Sequence, residues 1–231
     1  RSRLRKNNPN PRARPRGPGR AITLRQLLDL HEHFRNFIND RSMHYICGNL
    51  VLPLTRDDRL SYAEVAGPTD LQWFVSHFWG MPFAHFCASI RNFAASRGST
   101  EVWQDFSFWV CTFANNQWEV KAELGTSCDD SSFFHALQSC SCQGTVMVLD
   151  DQASPLTRSW CLFEVLQTII LTRSRLEEGF MGLTLCTNTG VLNSGRAGVD
   201  IAIQVAKRLS SLRCQEAQAS NSEDKAMIDS R

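Results

Sequence analysis

From Ile22 onward, apolar residues recur every three or four positions: Leu24, Leu27, Leu28, Leu30, Phe34, Phe37 and Ile38 follow a Thr23 that can cap. That spacing predicts an amphipathic helix. A second apolar stretch, "YICGNLVLPLT", is interrupted by Pro53, and "DDRLSYAEVAGPTD" reads as a linker with turn residues Gly67, Pro68 and Asp70. After Leu71 the rhythm changes. Short continuous apolar runs (Trp73 to Phe78, Phe106 to Phe113, Gly144 to Asp150, Gly182 to Cys186) predict buried strands. Between and after them, longer periodic stretches predict helices. These are "PFAHFCASIRNFAAS", "DDSSFFHALQSC" capped by Asp129 or Asp130, "SPLTRSWCLFEVLQTII" with Ser154 as N-cap and Pro155 first, and "GVDIAIQVAKRLSSL". Such alternation predicts an α/β fold with a parallel sheet covered on both faces.

Charge divides the 231-residue chain further. Residues 1–20 hold seven Arg, one Lys, four Pro and no acid, which leaves 17 basic against 23 acidic residues in the remainder. The expected organisation is a disordered basic arm over residues 1–20, a helical segment and linker over 21–70, and an α/β domain over 71–231. The arm reads as a solvated linker, with binding of nucleic acid or acidic lipid as the alternative. A start at Arg1 and a polar last stretch read as the cut ends of a longer chain. Nine Cys are scattered without CxxC spacing, which argues for a reducing, cytoplasmic setting and against structural zinc. No run approaches the ~20 apolar residues of a membrane span.

In a parallel sheet, ligands bind beyond the carboxyl ends of the strands. The residues expected there are Ser76, His77 and Trp79 after the first strand, Asn115 and Asn116 after the second, and Asp150 after the third. Trp160 and Glu164 lie on the helix that follows. Glu164 stands out. Its helix neighbours four residues away, Trp160 and Thr168, are not cations, and Arg158 falls on another face. A buried carboxylate without a partner is costly, so Glu164 either finds a distant partner or faces a cleft. A Ser-His-Asp triad does not fit, because adjacent Ser76 and His77 point to opposite sides of a strand and no GxSxG elbow is present. Neither GxGxxG nor a phosphate loop follows the first strand.

"SHFWGMPFAHFCASI" resembles the first strand, loop and helix of TIR domains, and "GTVMVLDDQASPLTRSWCLFEVLQTI" resembles their third strand and following helix. The Trp-Cys-x-x-Glu pattern of that family stands here as Trp160, Cys161, Leu162, Phe163 and Glu164. The resemblance extends to TIR-like proteins of unicellular eukaryotes, with segments such as "FWVCTFANNQ" and "ASNSEDK". It implies a flavodoxin-like doubly wound sheet and one of two functions. The first is cleavage of the nicotinamide–ribose bond of NAD+, with Glu164 as catalytic acid; the rim residues Ser76, His77, Trp79, Asn115, Asn116, Asp150 and Trp160 would then surround the substrate, and that chemistry needs no metal or cofactor. The second is non-catalytic signalling by self-association as a homo-oligomer. In the family the loop after the second strand gates the site, which implies residues 114–126 here. Two positions depart from the pattern: Phe78-Trp79-Gly80 replaces the usual Arg-Gly, and the loop brings its acids and glycine late.

Overall fold

The apolar runs after Leu71 assemble into one mixed sheet of six strands. A computed structural model describes residues 2–98, 102–192, 199–211, 213, 216–219 and 222–229. The strands are β1 (Ile22–Thr23), β2 (Trp73–His77), β3 (Ser107–Val110), β4 (Gly144–Val148), β5 (Leu183–Thr187) and β6 (Gly190–Val191), arranged β1-β3-β2-β4-β5-β6. The four inner strands are parallel, with Val75 opposite both Val110 and Val146. The two outer pairings are antiparallel. Every residue of β2, β3 and β4 is buried, which is why these segments are continuously apolar rather than alternating.

Twelve α-helices surround the sheet among the described residues: α1 (Ser2–Asn7), α2 (Leu24–Ile38), α3 (Met43–Ile46), α4 (Leu52–Thr55), α5 (Tyr62–Ala66), α6 (Phe83–Arg97), α7 (Cys111–Ala114), α8 (Val120–Leu124), α9 (Ser132–Leu137), α10 (Ser159–Ser174), α11 (Val199–Ser211) and α12 (Ser222–Asp229). On one face of the sheet, Phe86, Ile90 and Phe93 of α6 pack with Leu27 of α2 against Val75, Val110 and Val146. On the other, Phe133 and Leu137 of α9 and Leu171 of α10 pack against Phe74 and Trp109. Helices thus cover both faces. None of the described helices is long and apolar enough to cross a membrane.

Several local expectations are corrected. The strand expected to reach Phe113 ends at Val110, where pairing with β2 stops. Backbone donors beyond it are met locally, as Asn115 N bonds Cys111 O at 3.1 Å, and the chain coils into α7. The helix expected to start at Ser154 is split: Ser154–Thr157 forms a 3-10 turn, Arg158 is extended, and α10 begins at Ser159. The break comes where Ser159 N bonds the carbonyl of Gln218 at 3.0 Å. The cap of α9 is Ser131, not Asp129 or Asp130. Pro53 does not interrupt the second apolar stretch. Met43–Ile46 runs through a five-residue π turn into α4, with Pro53 placed just after that wider turn. The linker contains α5, whose Ser61 and Glu64 make a reciprocal capping box.

The largest correction concerns the arm. Residues expected to be disordered form α1 and then a strap laid along the domain. Arg5 pairs with Asp58 at 2.6 Å, Arg16 with Asp130, and Arg20 with Glu64 at 3.3 Å and Glu123 at 2.5 Å. The basic arm finds its counter-charges on the acidic remainder of the same chain. The described cysteines are thiols, all buried except Cys140, and Cys214 lies outside the described residues.

Candidate functional site

Beyond the carboxyl ends of β2 and β3 opens a cavity of about 350 Å³. Trp79, which follows β2, lies in its wall, as do Cys111 and Asn115 after β3, Val120 and Leu124 of α8, and Trp160, Cys161 and Glu164 of α10. The break at Arg158 sets the start of α10, so that its first turns present Trp160, Cys161 and Glu164 to the cavity together.

Glu164 is 4% exposed, and no described cation lies within ion-pair distance of it. Its Oε2 and the hydroxyl of Ser76 are buried without a hydrogen bond of ordinary geometry. Burial pushes the Glu164 carboxyl up to about 8, with the nearby Ser76 hydroxyl pulling the other way. The same burial lowers His77 to about 4 and raises Cys111 to about 12. Cys161 is raised well above the ordinary thiol range for the same reason. His44 is lowered by burial and by nearby Arg158. At neutral pH the polar wall around Glu164 is therefore mostly uncharged, with the Arg158 guanidinium farther out, over the Phe78 ring at 6.0 Å.

The expected site residues separate into two groups. Glu164, His77, Trp79, Asn115 and Trp160 line the cavity, and Ser76 lies behind Glu164. Trp79 donates its indole N–H to Cys111 Sγ at 3.2 Å. Trp160 stacks on Phe133 with ring centres 5.0 Å apart. Asn115 accepts from Ser132 Oγ at 2.8 Å, which fixes its amide in the wall. Asn116 and Asp150 do not join them. Asn116 donates to Arg59 O at 2.8 Å and accepts from Trp118 N at 3.1 Å, so its amide shapes the loop. Asp150 accepts from Ser154 N at 2.8 Å and closes the turn after β4.

Compared with protein-family models, with curated proteins and with solved structures, the chain matches none. Its functional reading rests on its own residues.

Sequence reasoning missed His44, Phe133, Arg158 and Gln218 as site residues and placed Gln117 only among the polar residues after the second strand; all five line the cavity. His44 comes from the N-terminal segment, and its N–H bonds Trp79 O at 3.2 Å across the site. Gln117 sits in a polar loop whose composition does not single it out. Its side chain bonds Cys111 O at 3.0 Å and Thr112 O at 3.2 Å and so knits the loop after β3. Gln218 arrives from beyond α11 and carries no local signal. Cys111 and Arg158 had one: each directly adjoins a strand end or helix start at the carboxyl rim.

Proposed function

We propose that the chain is a TIR-like domain of flavodoxin-like topology whose rim cavity cleaves the nicotinamide–ribose bond of NAD+, with Glu164 as the catalytic acid. The topology is supported by the order of the parallel strands, second-first-third-fourth along the chain, which is that of flavodoxin-like sheets. The observation that carries the activity is a buried carboxyl without an ion-pair partner among the described residues, facing a cavity walled by two indoles. Nicotinamide in NAD+ is a pyridinium. As its bond to ribose breaks, the electron pair goes to the ring nitrogen, neutral nicotinamide leaves, and positive charge moves to the ribose. A carboxylate beside that ribose stabilises the oxocarbenium-like state, and water then adds to give ADP-ribose and a proton. A cationic substrate also favours the ionised form of Glu164, so its entry displaces the proton that burial holds there. Trp79 and Trp160 offer faces on which the flat ring stacks.

The test is nicotinamide release from NAD+ by the purified chain. Glu164→Gln is expected to lower it by about 10²-fold or more, since the developing charge loses its counter-charge. A variant that melts several degrees lower and cleaves undiminished would make Glu164 a packing residue.

A second reading, a non-catalytic module that associates with copies of itself, is favoured by Leu166, Ile169 and Ile170, which stand 43–47% exposed on α10. It predicts a concentration-dependent sedimentation coefficient that Ile169→Glu abolishes, with no nicotinamide release at any concentration.

A further inference from the structure

The N-terminal strap grips the cavity from behind at two points. Arg20, itself buried, donates to Glu123 of α8 at 2.5 Å, and that carboxylate also accepts from Asn116 N at 3.1 Å. Arg16 donates to Ala122 O, in the same helix, and to Asp130 just beyond it. The same short helix supplies Val120 and Leu124 to the cavity wall. At the second point Gly17 O accepts from the indole of Trp109 at 2.9 Å. Trp109 meets Phe133 edge-on at 5.3 Å, and Phe133 stacks on Trp160. Gly17 is required there, since its φ is +107° and a Cβ would lie 2.9 Å from His135 Cβ.

One five-residue stretch thus holds both the α8 wall and the aromatic wall of one cavity, and it lies far from both in sequence. We propose that residues 16–20 are a latch on this cavity. While Arg16 and Arg20 hold α8, the cavity keeps its width; when they release it, α8 moves off and the cavity opens. Arg20 is a positioning residue for the site and touches no ligand. The buried side chain of the short α8 is Glu123, the group that Arg20 holds, while Leu124 packs toward the cluster around Phe133.

The latch is tested on the full chain by the rate at which N-ethylmaleimide modifies each cysteine, followed by peptide mass spectrometry. Cys111 lines the cavity, and burial keeps its thiol protonated and slow to react. Cys87 of α6 and Cys186 of β5 are buried in the core between that helix and the sheet, do not line the cavity, and serve as internal controls. Arg16→Ala is expected to speed labelling of Cys111 by about tenfold, the effect of losing one charge-assisted contact on a local opening, and Arg20→Met, which loses both Glu64 and Glu123, by more, in each case ahead of any change at Cys87 and Cys186. Arg16 is partly exposed, so Arg16→Ala decides the matter even where Arg20→Met does not fold. Cys111 labelling that stays at the native rate, or that rises only in step with Cys87 and Cys186, overturns the latch. Labelling needs no turnover, so its outcome is separate from that of nicotinamide release.

Discussion

Two corners of this molecule bury carboxylates to the same depth and treat them in opposite ways. Under the strap, Glu64 and Glu123 are 1% and 4% exposed, and the Arg20 guanidinium lies between them. In the cavity, Glu164 is also 4% exposed, yet its nearest charged wall group, Arg158, is not within ion-pair distance. Depth of burial is therefore not what sets Glu164 apart. The strap corner compensates its charge with a cation from the same chain and becomes a structural joint. The cavity corner leaves its acid without an ion-pair partner among the described residues, and burial holds it protonated at neutral pH.

The contrast is broken most severely by Arg20→Met. That change strands two buried carboxylates and is expected to cost about 3–5 kcal/mol in thermal or urea unfolding. Adding Glu123→Gln to it should recover part of the loss; a fall below about 1 kcal/mol would mean that the corner is already well hydrated.

Glu164→Gln should act with the opposite sign. The folded value of about 8 lies above the ordinary 4.5, so folding favours the protonated form. Stability from this group is fully present below pH 4.5 and is lost as pH rises through 8. Native protein should therefore melt progressively lower from pH 6.5 to 8, whereas the amide variant should stay level and melt a few degrees higher at pH 8. Equal slopes for the two would show that Glu164 is paired after all.

His77 sharpens the comparison from the other side. Its folded value of about 4 lies below the ordinary 6.5, so its contribution is full above 6.5 and is lost as pH falls toward 4. Between pH 4.5 and 6.5 the His77 and Glu164 trends oppose each other, which predicts a flatter stability profile there than above 6.5. Resonances of the His77 ring that move with the ordinary midpoint would contradict its burial. The smallest effect belongs to an exposed pair: Arg25→Ala, which removes a 3.1 Å contact with Asp105, should change stability by less than ~0.5 kcal/mol.

What the sequence reveals follows how local each cause is. Inner strands β2 to β4 are legible because burial on both faces writes continuous apolar runs, and α2 is legible because regular apolar spacing follows a Thr23 that caps it. The strap is illegible for the opposite reason. Its composition contains almost nothing to bury, and what orders it are acids 44 to 114 residues away, such as Glu64, Glu123 and Asp130. In the site, Glu164 and Trp160 stand out because an acid and an indole interrupt an apolar helix at the rim. His44 and Gln218 join them only through the tertiary path of the chain. Asn116 and Asp150 show the reverse case, polar residues at the right address that the backbone uses for its own turns.

Both borders of the sheet are only two residues wide. β1 and β6 each run antiparallel to the parallel strand they cover, and each ends almost as soon as it begins. A row of unpaired amides that short offers little template for a further strand, from a peptide or from another copy of the chain. Among the described residues these short borders disfavour strand addition, and contact between copies through helix surfaces would be finite and side-chain-specific rather than an open-ended backbone ladder.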